Sequence, residues 1–179
     1  MKILLLETSS ECALAAVIEG NKLIFEKKLP SGPELSKTLG AEIKKILEVY
    51  PLPYDRVVAG VGPGSFTGIR VGVSMANALS FGWQIPLFTV SSLTAFGPGV
   101  IAIDGRMGGI YVQLDFEEPT LLSLDTAAEF LSKQPLIISP HPEKILSRIP
   151  GLKIERRELN PLLLAQQAKR TQKPLKINY

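Results

Sequence analysis

Two glycines four residues apart, Gly68 and Gly72, stand inside a stretch that otherwise reads as a buried helix. Each costs such a helix about 1 kcal/mol relative to Ala. A helix carries that cost where another backbone must come close. The stretch runs from Arg56 to Pro86. Val57 to Val61 is a short β-branched run, suited to a strand covered on both faces. Gly62-Pro63-Gly64 ends it, and Ser65 or Thr67 is placed to cap a helix over about Thr67 to Phe81. Gly68, Gly72, Ala76 and Ser80 form a stripe of small residues. Ile69, Val73 and Phe81 form a second row, and Val71, Met75 and Leu79 a third. Apolar rows all round predict a buried helix. One reading makes it the central helix of a core. A second adds another packing partner, because one strand layer cannot cover every face.

The rest of the chain falls into order around this unit. Lys2–Leu6, Cys12–Glu19 and Lys22–Leu29 read as three strands with short turns. A helix from about Pro33 to Tyr50 sets Leu35, Leu39, Ile43, Ile46, Leu47 and Tyr50 on one face. Leu87–Val90 is a further strand, with a brief helix near Leu93–Phe96. Gly97-Pro98-Gly99 is the expected boundary, giving subdomains 1–98 and 99–179. The second half repeats the order of the first in shorter form. Its strands are Val100–Asp104, Ile110–Phe116 and Thr120–Leu124. A helix capped by Asp125, a strand at Leu136–Ser139, a short helix at Pro142–Arg148, a strand at Lys153–Glu155 and a last helix near Leu162–Arg170 follow. Strands and then alternating helix and strand predict a layered α/β fold.

Charge is unevenly spread along the 179 residues. The part before Lys133 is near −4 and the rest near +7, for a net +3. A basic tail either leans on a phosphate backbone or forms a solvated surface. Cys12 is the sole cysteine, so an internal disulfide is excluded and a reducing compartment fits. As it falls in an apolar run, it is expected to be buried. The opening Met1–Leu6 run is too short for a signal-peptide core. Asn77, Gln84, Pro86 and Pro98 interrupt the uncharged stretch from Val71 to Ile103, so no membrane span is expected. A cytoplasmic protein is the expectation.

Several chemistries fail on residue type. No glycine pair near Gly62 has P-loop spacing, and no Lys lies between Lys45 and Lys133. Thr67 stands where a dinucleotide fingerprint needs its third Gly. The sole histidine, His141, lies between two prolines, which leaves neither a Ser-His-Asp set nor a His-based metal site. Two polar turns remain. Glu7-Thr8-Ser9 links the first two strands of the first half, and Asp104-Gly105-Arg106 holds the matching place in the second. Such paired turns clamp phosphates in some nucleotide-binding folds. They are equally ordinary turns, and Asp104 with Arg106 could form a local ion pair.

Four segments together resemble the TsaB (YeaZ) family, partner proteins in the synthesis of threonylcarbamoyladenosine in tRNA. They are Leu4–Ser9 (LLLETS), Gly62–Gly72 (GPGSFTGIRVG), Ile85–Leu93 (IPLFTVSSL) and Ile103–Tyr111 (IDGRMGGIY), with a fainter match at Pro174-Leu175. The resemblance implies an actin-like, Hsp70-like ATPase (ASKHA) fold of two similar subdomains, the second reduced. It implies a non-catalytic scaffold for the threonylcarbamoyl transferase TsaD, which carries the metal, and association with the ATPase TsaE. ATP would serve the complex, with no cofactor bound by this chain alone. Contact with tRNA would be indirect, and self-association is expected when the chain is alone. Glu7 stands where the family usually has Asp, and Leu35-Ser36 where many members have His-Ser.

The expected partner interface comprises Leu35, Leu39, Gly68, Arg70, Val71, Gly72, Met75, Ala76 and Leu79. The expected vestigial phosphate loop comprises Glu7, Thr8, Ser9, Asp104, Gly105 and Arg106. No catalytic or metal-binding residue is expected. The rival reading is an ATP-dependent phosphotransferase or ATPase of the same fold, with Glu7 and Asp104 holding magnesium. A protease reading rests only on the older glycoprotease-like names of the wider family, and the residues offer no nucleophile–base pair.

Overall fold

The computed structural model describes residues 1–10 and 12–171, and in residues 107 and 169–171 the backbone only. Glu11, Pro174 and Leu175 lie outside the described residues, as do the side chains of Lys169 and Arg170. The chain forms two compact units. The first takes in Met1–Ser92 and the helix that begins at Pro161; the second is Leu93–Asn160.

In the first unit, β1 (Lys2–Glu7), β2 (Leu14–Glu19) and β3 (Lys22–Lys28) are followed by α1 (Pro33–Val49), β4 (Arg56–Gly60), α2 (Phe66–Trp83) and β5 (Leu87–Val90). The sheet order is β3-β2-β1-β4-β5, antiparallel across the first three strands and parallel across the last three. Leu4, Leu6, Val57 and Ala59 point from the central strands into a core with Leu35, Leu39, Ile43, Ile46, Val73 and Ala76 of the two helices. The alternate residues Ile3, Leu5 and Val58 are also fully buried. A last helix, α5 (Pro161–Thr171), lies against all five strands and buries Leu164, Ala165 and Ala168. Both sides of β1 and β4 are thus covered, which is why these strands read as continuous apolar runs.

The second unit contains β6 (Val100–Asp104), β7 (Ile110–Leu114), β8 (Thr120–Leu122), α3 (Leu124–Ser132), β9 (Ile137–Ser139), α4 (Pro142–Leu146) and β10 (Ile154–Arg156). Its sheet order is β8-β7-β6-β9-β10, again antiparallel and then parallel. The two units share one topology. The helices of the second have 9 and 5 residues, against 17 and 18 in the first. This is the expected pair of similar α/β subdomains, the second reduced.

Three expectations are corrected. The division at 98/99 gives way to the units above: the second unit starts at Leu93, and the last helix returns to the first because its apolar face has a sheet to cover there. Cys12 is exposed in the turn before β2, since that strand starts only at Leu14. Ser123 rather than Asp125 caps α3, accepting a bond from Thr126 N at 3.3 Å. No helix among the described residues is long and apolar enough to cross a membrane.

Candidate functional site: two turns and a helical face

The Glu7-Thr8-Ser9 turn is closed. Register pairs Leu6 with Ala59, so Glu7 comes to lie beside Gly60 at the end of β4. All three turn residues are buried. Glu7 Oε1 accepts bonds from Ser9 N at 2.6 Å and Ser9 Oγ at 2.5 Å. Thr8 Oγ1 donates to Gly68 O at 2.8 Å, and Ser65 N donates to Ser9 O at 2.5 Å. Ser65 also caps α2, its hydroxyl oxygen accepting from Gly68 N at 3.2 Å.

Four glycines at four-residue intervals make room for this turn. An added Cβ would stand 1.6 Å from Glu7 Oε2 at Gly60, 2.1 Å from Ser9 O at Gly64, 2.0 Å from Thr8 O at Gly68, and 2.0 Å from Thr8 Oγ1 at Gly72. Real Cβ atoms do not come so near. Gly68 and Gly72 of α2 are therefore explained by the chain's own first turn, not by a second helix. The Thr8 and Ser9 hydroxyls of this turn are bonded within the chain, to Gly68 O and to Glu7.

Glu7 Oε2 is buried without a hydrogen-bond partner. Ser92 Oγ lies across the Gly60 face from it and accepts from Gly62 N at 2.9 Å. Burial pushes the Glu7 carboxyl above its ordinary value; the Ser9 bonds and the nearby Ser92 hydroxyl offset this only in part. No cluster of three or more His, Cys, Asp or Glu able to hold a metal occurs among the described residues.

The second turn is tied from elsewhere. Asp104 Oδ1 accepts from Arg148 Nη1 at 2.5 Å and from Arg106 N at 3.0 Å. The same Arg148 nitrogen donates to Arg106 O at 2.7 Å and Gly109 O at 3.0 Å. The Asp104–Arg106 ion pair is thus replaced by Asp104–Arg148, with Arg106 contributing backbone alone. Other cations of the basic region are also engaged. Arg156 meets Glu143 at 2.6 Å, and Arg157 meets Glu155 at 2.9 Å and Phe96 O at 2.9 Å.

The helical face divides the expected interface set in two. Leu35, Leu39, Gly68, Gly72 and Ala76 are buried within the chain and cannot reach a partner directly. That corrects the expected contact at Gly72 and Ala76. Arg70 is exposed, and Val71, Met75 and Leu79 are half-buried. A groove of about 590 Å³ runs between the helices, walled by Ser36 of α1 and by Phe66, Arg70, Ser74 and Ala78 of α2, with Val71 and Met75 exposing apolar surface within it. Phe66 is 72% exposed and Phe81, further along α2, 87%.

Known proteins share this architecture. A solved Pseudomonas aeruginosa protein described as similar to the peptidase YeaZ superposes with a TM-score of 0.76 at 20% identity, covering 97% of this chain and 94% of its own. YeaZ from the same organism gives 0.74 at 21% identity, over 96% and 92%. These likenesses show the fold. The tRNA threonylcarbamoyladenosine biosynthesis protein TsaB of Haemophilus influenzae is 31% identical over 131 residues, 62% of this chain and 52% of its own. TsaB of Escherichia coli is 31% identical over 62% of this chain and 53% of its own. The chain thus spans about half the length of these curated relatives. The family model described as TsaD, tRNA N6-adenosine threonylcarbamoyltransferase, matches residues 34–134, more than half of the chain.

The chain belongs to the TsaD/TsaB (YeaZ) family.

The matched span begins in α1 and takes in all of α2, so the groove lies in the part that carries the family likeness. Within this TsaB-like chain, reading the sequence missed Phe66, Ser74 and Ala78 as surface. A signal was present: Arg70, Ser74 and Ala78 recur at four-residue spacing, and the first two, with Asn77, are the clearly polar positions of the helix.

Proposed function

We propose that this chain acts in tRNA threonylcarbamoyladenosine formation as a non-catalytic partner of the transferase TsaD, docking it through the groove between α1 and α2. One observation carries the reading: α2 spends its glycine side sealing the chain's own Glu7–Ser9 turn and leaves an apolar side open. The Thr8 and Ser9 hydroxyls are already engaged within the chain and Glu7 is fully buried, which speaks against a phosphate or magnesium site at this turn. Open apolar surface flanked by small residues suits helix-on-helix docking. ATP, TsaE and tRNA would then meet this chain through the assembled complex. In the absence of TsaD, a second copy can cover the groove.

Co-purification with the same organism's TsaD tests docking. Phosphate release from magnesium-ATP tests catalysis: the chain alone should give background only. Turnover that disappears in Asp104→Ala would sink the reading in favour of a phosphotransferase.

A further inference from the structure

The groove between α1 and α2 holds one charge. Arg70 is the sole ionised side chain lining it; the others are apolar or neutral hydroxyls. Its guanidinium lies 5.2 Å from the Phe66 ring centroid. Among the described residues no carboxylate pairs with it. Stacking on an exposed ring covers the apolar face of the guanidinium and leaves its N–H donors without anionic acceptors.

We propose that the groove takes a helix carrying a carboxylate opposite Arg70, and that this charge selects a different protein over a second copy of the chain. The inference rests on the docking proposed above and adds the chemistry of the partner. Two copies meeting through one groove would pair the same surface with itself. Such a copy brings no carboxylate from its own groove to pair with Arg70. An unpaired charge buried in an interface is heavily penalised, whereas a guanidinium–carboxylate pair can form two parallel hydrogen bonds. Phe66 and the stem of Arg70 supply apolar contact in either case, so the charge decides between the two occupants.

The test titrates the same organism's TsaD into wild type, Arg70→Gln and Arg70→Glu at low and high salt. Sedimentation of each free variant is run in parallel, with circular dichroism as the folding control; Arg70 is exposed, so both variants should fold. Wild-type affinity should fall as salt rises. Arg70→Glu should bind roughly thirtyfold more weakly or worse, and Arg70→Gln should bind weakly with little salt dependence. Self-association of Arg70→Gln should equal or exceed that of wild type. Arg70→Glu binding TsaD as tightly as wild type would overturn the charge inference and leave the docking intact. A wild type that does not bind TsaD would overturn both. Weaker self-association in Arg70→Gln would overturn the claim that Arg70 disfavours a second copy.

Discussion

Thr8 and Gly72 are packed so closely that a single added carbon at Gly72 would lie 2.0 Å from Thr8 Oγ1. The contact joins the first turn of the chain to the middle of α2. Helix propensity and packing therefore make opposite predictions for Gly72→Ala. Propensity favours Ala by about 1 kcal/mol. The clash should win, because Thr8 Cβ is also within 3.0 Å and the hydroxyl is held by Gly68 O. Gly72→Ala should lower the urea midpoint, and Gly72→Leu should lower it further, by about 1–3 kcal/mol or more. Gly82→Ala in the same helix meets nothing within 4 Å and serves as control. It should stabilise by about 0.4–1 kcal/mol. If Gly72→Ala stabilises as Gly82→Ala does, the cradle is not tight.

Glu7 gives a pH dependence with a definite sign. Its folded-state value is raised, first by burial. The folded protein thus binds the proton more tightly than the unfolded chain. The associated stability is fully present below the unfolded value of about 4.5 and is lost as pH rises through the higher folded value. Glu7→Gln keeps the shape without the charge. Plotted against pH, the difference in urea midpoint between Glu7→Gln and wild type should grow as pH rises from about 4.5, in favour of the variant. A constant difference would mean that Glu7 is not buried as described.

Arg148 should act as a strap on the second turn. Arg148→Ala removes one side-chain nitrogen that serves Asp104, Arg106 O and Gly109 O. Asp104 would keep only the Arg106 N bond. A loss of roughly 1.5–3 kcal/mol follows for hydrogen bonds to a charged group. Hydrogen exchange should quicken at Gly105, whose N–H bonds Gly109 O. Unchanged exchange there would assign the turn's order to its backbone alone.

Much of this fold is legible in order because its signals are local. Val57–Val61 predicts β4 within one residue, and the period of Leu35, Leu39, Ile43 and Ile46 predicts the buried side of α1. The glycines of α2 announce a close approach, yet their partner Thr8 is 60 residues earlier at Gly68, and local pattern carries no such distance. The same limit hides Arg148 from Asp104, 44 residues away. It also hides the return of α5 to the first sheet, since an apolar helix face does not say which sheet it covers. The apolar run Ala13–Ile18 suggests an earlier strand start than Leu14, and that hides the exposure of Cys12 in the turn before it.

The docking claim is tested most directly by titrating the same organism's TsaD into wild type and into Ser74→Trp. Ser74 is exposed on the groove wall, so the indole would fill the groove without disturbing the core. The account predicts that Ser74→Trp, with wild-type circular dichroism and urea midpoint, binds TsaD at least about tenfold more weakly, a loss of about 1.4 kcal/mol. A folded Ser74→Trp that binds TsaD with wild-type affinity would contradict it and place the interface elsewhere on the chain.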